Sequence, residues 1–177
     1  MKYDNSHVRR QDRLLDEAAA RRLLREGEYG VLALSDAEGR PYAVPVNYVW
    51  DGDDKVYIHC APEGEKLRLI DRCADVVLTV VGRTQVLPGA FTTAYESILL
   101  RGTARRGLDA DERRRALHLL VGKYCPAYVE RGQRYAEHSF YRTEVVCIDL
   151  ATMSGKCKQL PASAGGETPD KEATHAG

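Results

Sequence analysis

The stretch Pro41-Tyr42-Ala43-Val44-Pro45-Val46-Asn47-Tyr48-Val49-Trp50 decides how this chain folds. Its β-branched and aromatic residues suit a strand. Asp51-Gly52-Asp53-Asp54, which follows, is a hairpin turn, and Lys55 to Cys60 is the returning strand. Pro45 stands inside the run. Proline cannot donate to a ladder, so the strand needs an edge or a bulge there. Upstream, Tyr29 to Leu34 is a short apolar run suited to a buried strand, joined to the first by the turn Ser35 to Arg40. Downstream, Val76 to Val81, Ser97 to Arg105 and Thr143 to Leu150 read as three further strands. Gly82 to Thr93, with its Gly, Pro and Thr, reads as a loop.

Helical periodicity appears between the strands. In Asp16 to Glu26, residues Ala19, Ala20, Leu23 and Leu24 share one face, Asp16 can cap the start and Gly27 can end it. Glu65 to Cys73 turns Leu67, Leu69 and Ile70 inward. Asp109 caps a third helix, with Glu112 placed to reach back to its N–H, and Ala116, Leu117, Leu120 and Val121 form its apolar face. Tyr128 to Glu137 is a short fourth helix. Six short strands, mostly joined by hairpins, with helices as excursions, predict a mainly β (α+β) protein. A doubly wound parallel sheet does not fit this order, whereas a closed or partly closed six-stranded antiparallel barrel does.

Composition narrows the class. The 177 residues make one domain over 1–158, followed by a tail, 159–177, of Pro, Ala, Ser, Gly and charge that is expected to be disordered. Basic and acidic residues number 26 each, so the chain lacks the broad positive field that nucleic acid or anionic lipid would draw on. No apolar run approaches the roughly 18–20 residues of a membrane helix. The N-terminus leads into charge and not into a signal-peptide core. The expectation is a cytoplasmic protein. Its five cysteines are odd in number and contain no C-x-x-C pair, so inert thiols are expected, with no disulfide framework and no metal site. Arg113-Arg114-Arg115, with Arg101, Arg105 and Arg106 nearby, is balanced by Asp109, Asp111 and Glu112 and reads as a solvated helix face. His118 belongs to that charged helix and is expected to be exposed.

The residues that can carry chemistry gather between Pro41 and Ile70. The strand ending in His59-Cys60 runs into Ala61-Pro62-Glu63-Gly64-Glu65-Lys66 at a helix start. Exposed N–H groups, a glycine that permits close approach and a lysine make a small phosphate-binding device. Glu63 and Glu65 oppose it unless they point away. A histidine at a strand end can donate a proton, because its charge changes near neutrality. It can equally be a hydrogen-bonded strand terminus. Tyr124, Tyr128, Tyr135 and Tyr141 can form an aromatic wall over a ligand or pack at a subunit interface.

In order along the chain, Tyr29-Gly30-Val31-Leu32-Ala33-Leu34, Gly39 to Tyr48, Val56 to Ala61 with Gly64-Glu65-Lys66-Leu67, Tyr95-Glu96-Ser97-Ile98-Leu99-Leu100-Arg101-Gly102-Thr103-Ala104 and Met153-Ser154-Gly155-Lys156 resemble the flavin-binding split β-barrel family. That family includes the pyridoxamine-phosphate oxidases, and the closest branch is the Nim-type nitroimidazole-resistance proteins. The resemblance runs from about Arg9 to Lys158. It implies a split barrel that binds FMN as a homodimer, with two sites at the subunit interface. It implies that the backbone of Val44, Pro45, Val46 and Asn47 lies along the flavin ring, with N–H groups beside Pro45 donating to it. It implies that Lys66 holds the phosphate, that Ser97 reaches the cofactor and that Met153 to Lys156 approach it from the partner chain. His59 matches a histidine near the flavin, which makes it the candidate catalytic residue. Lys156-Cys157-Lys158 stands where the oxidases carry Arg-x-His for their substrate, which speaks against vitamin B6 oxidation, and Met153 stands where an aromatic residue is common.

Two functions follow. One is an FMN-dependent oxidoreductase that reduces a small (nitro)aromatic such as a nitroimidazole, with NADH or NADPH as a transient donor, since no G-x-G-x-x-G fingerprint is present. The other is a non-catalytic protein of the same fold that binds or stores flavin, haem or deazaflavin.

Overall fold

The computed structural model describes residues 1–159, and the strand expected over Pro41 to Trp50 is two strands in it. The elements run β1 (Lys2–Tyr3), α1 (Glu17–Glu26), β2 (Gly30–Ser35), β3 (Pro41–Val46), β4 (Tyr48–Trp50), β5 (Lys55–Cys60), α2 (Glu65–Arg72), β6 (Asp75–Leu87), β7 (Thr92–Arg105), α3 (Ala110–Tyr124), α4 (Val129–Ser139) and β8 (Glu144–Lys158). The strand order is β3-β2-β6-β7-β8-β5-β4, antiparallel throughout, with β1 pairing parallel to β8. The first and last strands of this path, β3 and β4, are consecutive in the chain and separated by Asn47 alone. One residue spans under about 4 Å, so the sheet curls until its two edges meet at that corner. The result is the expected split barrel, with eight strands among the described residues in place of six because the second is divided and a two-residue strand precedes them.

Pro45 lies on an edge, as its missing donor requires. Asp36 N–H bonds to the Arg40 carbonyl, and antiparallel alternation then makes Leu34/Tyr42, Leu32/Val44 and Gly30/Val46 the bonded pairs. Pro41, Ala43 and Pro45 therefore turn their backbone outward. The N–H groups of Val44 and Val46 are spent on β2, contrary to the expectation that N–H groups beside Pro45 are free. What this edge offers is the carbonyls of Pro41, Ala43 and Pro45 and the N–H of Ala43.

Two cores follow from the sheet's two faces. Inside the barrel, Leu32, Leu78, Val80, Ile98, Leu100, Ile148 and Met153 pack with α1 through Ala20, Leu23 and Leu24 and with α2 through Leu67, Leu69 and Ile70. Behind β4, β5 and β8, residues Val49, Tyr57, Val145 and Cys147 pack against Leu117 and Leu120 of α3 and Ala136 of α4. Asp16 caps α1 through the Ala19 N–H, as expected. Asp109 caps α3 through the N–H groups of Asp111 and Glu112. The Glu112 carboxylate does not reach back to the cap; it is held by Arg105 and by the Tyr57 hydroxyl.

Several other expectations are corrected. Gly82 to Thr93 is not a loop, because β6 and β7 continue as a two-stranded ribbon closed by a turn at Pro88–Ala90. The ribbon covers no core, so its sequence shows no apolar alternation. β8 runs to Lys158, well past Leu150, because a bulge that leaves Ala151 unpaired between Thr152 and Leu150 resets the alternation. The arginines at the α3 start pair within the chain, and while Arg114 and Arg115 are exposed as a solvated face requires, Arg113 is covered. Arg113 covers the Phe140 ring and donates to the Phe140 and Thr143 carbonyls, Arg114 pairs with Glu137, Arg105 with Glu112 and Asp149, and Arg106 with Asp71. His118 is half-buried, with Nε2 3.8 Å from Glu137. The tail expected over 159–177 lies outside the described residues apart from Gln159.

At the bulge, a Cβ on Gly102 would run into the Asp149 carbonyl oxygen. Backbone cannot yield as a flexible side chain does, so Gly102→Ala is expected to lower stability by about 1–3 kcal/mol. A thermal melt checks this, and for a chain of this size the fall is several degrees.

Candidate functional site

Strand alternation aims the candidate histidine. Tyr57 is fully buried in the core behind the sheet, and His59, two residues on, shares its face. His59 therefore points toward α3 and α4, where a hollow of about 610 Å³ opens. Its lining includes Asn47, His59, Tyr124, Tyr128 and Tyr135 among mainly apolar neighbours. Three of the four tyrosines singled out in the sequence thus stand around one cavity. Tyr141 does not; it is 81% exposed elsewhere. The volume falls in the range of small-ligand sites.

The hollow sits at the corner where the sheet's edges meet, and Tyr124 pins that corner. Its hydroxyl accepts the Tyr48 N–H at 2.9 Å and lies 2.8 Å from the carbonyl oxygens of both Glu28 and Tyr48. Asn47 adds a bond from Nδ2 to the Glu28 carbonyl at 3.1 Å. The buried Tyr48 hydroxyl donates to the Leu24 carbonyl at 2.8 Å. Above the Tyr48 ring, 3.8 Å from its centroid, lies the Lys123 ammonium, which is buried and has no hydrogen-bond partner among the described residues. Burial pushes its pKa down to about 8. No sequence signal marked Lys123, since a lysine in the last turn of a helix is ordinary.

The start of α2 follows β5 after four residues; α2 packs on the barrel-core side of the sheet and lines no part of the hollow. Gly64 has φ 145°, a conformation that favours glycine, and nothing stands within 4 Å of where its Cβ would be. No side chain caps this helix, and with the Leu67 and Arg68 N–H groups bonded to the Gly64 carbonyl, those of Glu65 and Lys66 remain available. Glu65 is bound to Arg68 along the helix flank, which removes one objection to an anion here. Lys66 lies close enough to His59 and Cys60 to shift both. The His59 pKa is lowered, first by desolvation and then by Lys66, which favours the neutral ring, although the side chain is exposed at the mouth of the hollow. Burial raises the Cys60 thiol against the pull of Lys66, which keeps it protonated and unsuited to attack. These residues fit a phosphorylated planar ligand: an apolar cavity with aromatic walls, an uncapped helix start and a cation.

The remaining site residues are elsewhere. Val44 and Val46 turn their side chains toward the barrel core, Pro45 is exposed on the edge, and the Met153 side chain is fully buried, so from Met153 only backbone can face a ligand. Ser97 and Lys156 meet as a cross-strand pair in a different hollow. His59 pairs with Val145 and Ser97 with Lys156, so the two groups are separated by about 35 Å of β8. One chain does not bring them together.

A family model described as pyridoxamine 5'-phosphate oxidase matches residues 16–157. The chain therefore belongs to that family, whose fold is the flavin-binding split barrel. Among solved structures it is similar to a candidate 5-nitroimidazole antibiotic resistance protein from Bacteroides thetaiotaomicron (TM-score 0.65, 23% identity, covering 82% of this chain and 86% of that one). It is also similar to the flavocytochrome Anf3 from Azotobacter vinelandii (0.72, 22%, 89% and 75%) and to an FAD and heme binding protein from Mycobacterium smegmatis (0.68, 20%, 91% and 77%). At these identities the likeness is one of fold. No curated protein matches the chain. No helix among the described residues is long and apolar enough to cross a membrane.

Tyr124→Phe keeps the ring and removes the pin. The Tyr48 N–H would then be left without a partner at a half-buried corner, and the expected cost is about 1–3 kcal/mol. Denaturant titration checks it, with an unchanged slope and a lower midpoint.

Proposed function

We propose that this protein binds FMN as a homodimer and reduces a small (nitro)aromatic compound in the hollow beside His59. The observation that carries the reading is the convergence at one end of β5 of an uncapped helix start with Gly64 and Lys66, a histidine whose neutral form is favoured, and an apolar cavity walled by tyrosines. Family membership and the similarity to a candidate nitroimidazole-resistance protein support it. A bound flavin supplies hydride and single-electron transfer. The chain supplies the rest. Lys66 and the α2 N–H groups hold the phosphate. The outward carbonyls of Ala43 and Pro45 and the Ala43 N–H would be the backbone groups that hold the ring's polar edge, while Val44 and Val46 hold that backbone in place from the core side. Asn47 fixes the corner against which the ring lies. NADH or NADPH serves as a transient donor at the open face.

The separation of Ser97, Met153 and Lys156 from His59 along β8 supports the dimer. A flavin is shorter than that stretch of strand, so one that touches both groups takes one from each chain.

His59 favours its neutral form in the free protein, so it delivers a proton only after gaining one. Two causes lower its pKa, and an anion on Lys66 cancels the second. A phosphate on Lys66 thus relieves the part of the shift that Lys66 causes, and reduction is expected to accelerate as pH falls through the bound-state pKa. In NMR titration, His59 should titrate below the ordinary histidine range in free protein and shift upward on adding FMN. A pKa that ignores FMN separates His59 from the phosphate.

The absorbance spectrum of the purified protein tests the cofactor, with the two-band flavin spectrum expected. A Soret band, or a colourless protein indifferent to added FMN, contradicts it. Lys66→Ala should weaken FMN binding tenfold or more through the lost charge-assisted contact and leave riboflavin affinity nearly unchanged. His59→Ala should retain FMN and lose nitroimidazole turnover. Full turnover in that variant removes His59 from the chemistry.

A further inference from the structure

The chain is electrically neutral, and most of its arginines near carboxylates are paired with them. The hollow over the distal half of β7 and β8 is different. It measures about 660 Å³ and gathers Arg9, Arg101 and Lys156, none of which makes an ion pair or hydrogen bond among the described residues. Its one carboxylate, Asp4, is already held by the Ser6 N–H and the Lys2 ammonium, each at 2.9 Å.

The placement is built into the fold. Ser97 stands opposite Lys156, and Arg101 stands opposite Thr152 on the same face of the sheet. Directly opposed side chains lie about 5 Å apart at Cβ, so each cation has a hydroxyl beside it. Four residues separate the two pairs along β7, about 13 Å. Arg9 is delivered by a clamp. The Tyr3 hydroxyl donates to the Leu15 carbonyl, and the Asn5 side chain donates to the Tyr3 hydroxyl and accepts the Gly155 N–H at 2.9 Å. Gly155 leaves the room, since a Cβ there would press on Tyr3 and Leu15. The N-terminal segment is thereby fixed along β8, and Arg9 is presented at the rim.

We propose that this hollow binds the phosphate or pyrophosphate group of a nucleotide, with Arg9, Arg101 and Lys156 as its cations and the neighbouring hydroxyls as donors. Planar guanidinium forks suit phosphate oxygens, and long side chains that start about 13 Å apart can converge on one phosphate or pyrophosphate. The proposal touches the flavin reading only in that Ser97 and Lys156 belong to both. The phosphate has two possible sources, a flavin held by a second copy of the chain or a separate nicotinamide nucleotide, and the experiment distinguishes them.

Inorganic pyrophosphate is titrated calorimetrically into full-length Lys66→Ala protein, which removes the α2 site, with and without Arg9→Gln and Arg101→Gln. Neither arginine side chain has a partner among the described residues of its own chain, so an unchanged melting temperature is expected. Binding to the arginine-intact protein and a loss of tenfold or more in the double substitution support the hollow. Equal affinities, or no binding to the arginine-intact protein, overturn it. FMN and riboflavin are then titrated into protein with Lys66 intact. A matching loss of FMN affinity, with riboflavin unaffected, assigns the hollow to the flavin's own phosphate. Unchanged FMN affinity assigns it to a separate nucleotide. Pyrophosphate binding in a protein that takes up no flavin keeps the hollow and removes the flavin reading alone.

Discussion

The rest of the structure depends on the single residue that separates the two edges of the sheet. β3 pairs only with β2 and β4 only with β5, at opposite ends of a seven-strand path, yet Asn47 alone lies between them. A flat or gently twisted sheet of that width would put its edges tens of ångströms apart. The connection rolls the sheet into a barrel that is hydrogen-bonded everywhere except along the split. Tyr124, reaching in from the end of α3, satisfies the backbone at the corner where the ladder stops.

That corner also explains where the candidate site lies. Closing the barrel leaves the outer edge of β3 unpaired among the described residues, with its carbonyls outward, and behind the far end of the sheet α3 and α4 cover β4, β5 and β8. The cover is incomplete near His59, and the opening between sheet and helices is the hollow. The helix start carrying Lys66 follows β5 after four residues, so it lies near the end of β5 that carries His59. The second group, Ser97 and Lys156, is far along β8 on a different stretch of sheet. A symmetric pair of chains is the simplest way to bring one chain's first group to its partner's second.

Much of this was legible in the sequence. Pro45 announced an edge or a bulge, because a residue without a donor breaks a central ladder, and the structure puts it on the edge; Ala19, Ala20, Leu23 and Leu24 announced a buried helix face through spacing alone. His59 and Lys66 stood out because they flank a strand end and a helix start. Where the sequence misled, the pattern had lost its cause. The outer ribbon of β6 and β7 covers no core, so nothing selected apolar alternation. A bulge at Ala151 shifted the phase of β8 by one residue and hid its second half. The expectation of N–H groups beside Pro45 failed because periodicity names a strand but not which of its backbone groups face the neighbour. Lys123 and the unpaired Arg9 and Arg101 carry no local signal at all, because their surroundings are set by tertiary packing.

The central claim is that one flavin is held by residues from two chains. Complementation tests it most directly. Lys66→Ala protein lacks the phosphate cation, and protein with Ser97→Ala and Lys156→Ala lacks the group expected from the partner, so each alone should bind FMN poorly. In a mixed dimer, one of the two sites is assembled wholly from intact residues. Co-refolding the two proteins in equal amounts should restore FMN binding to a fraction of the dimers, with wild-type affinity at one site per mixed dimer. Mixtures that bind no more FMN than the separate proteins would show that the two groups never share a flavin.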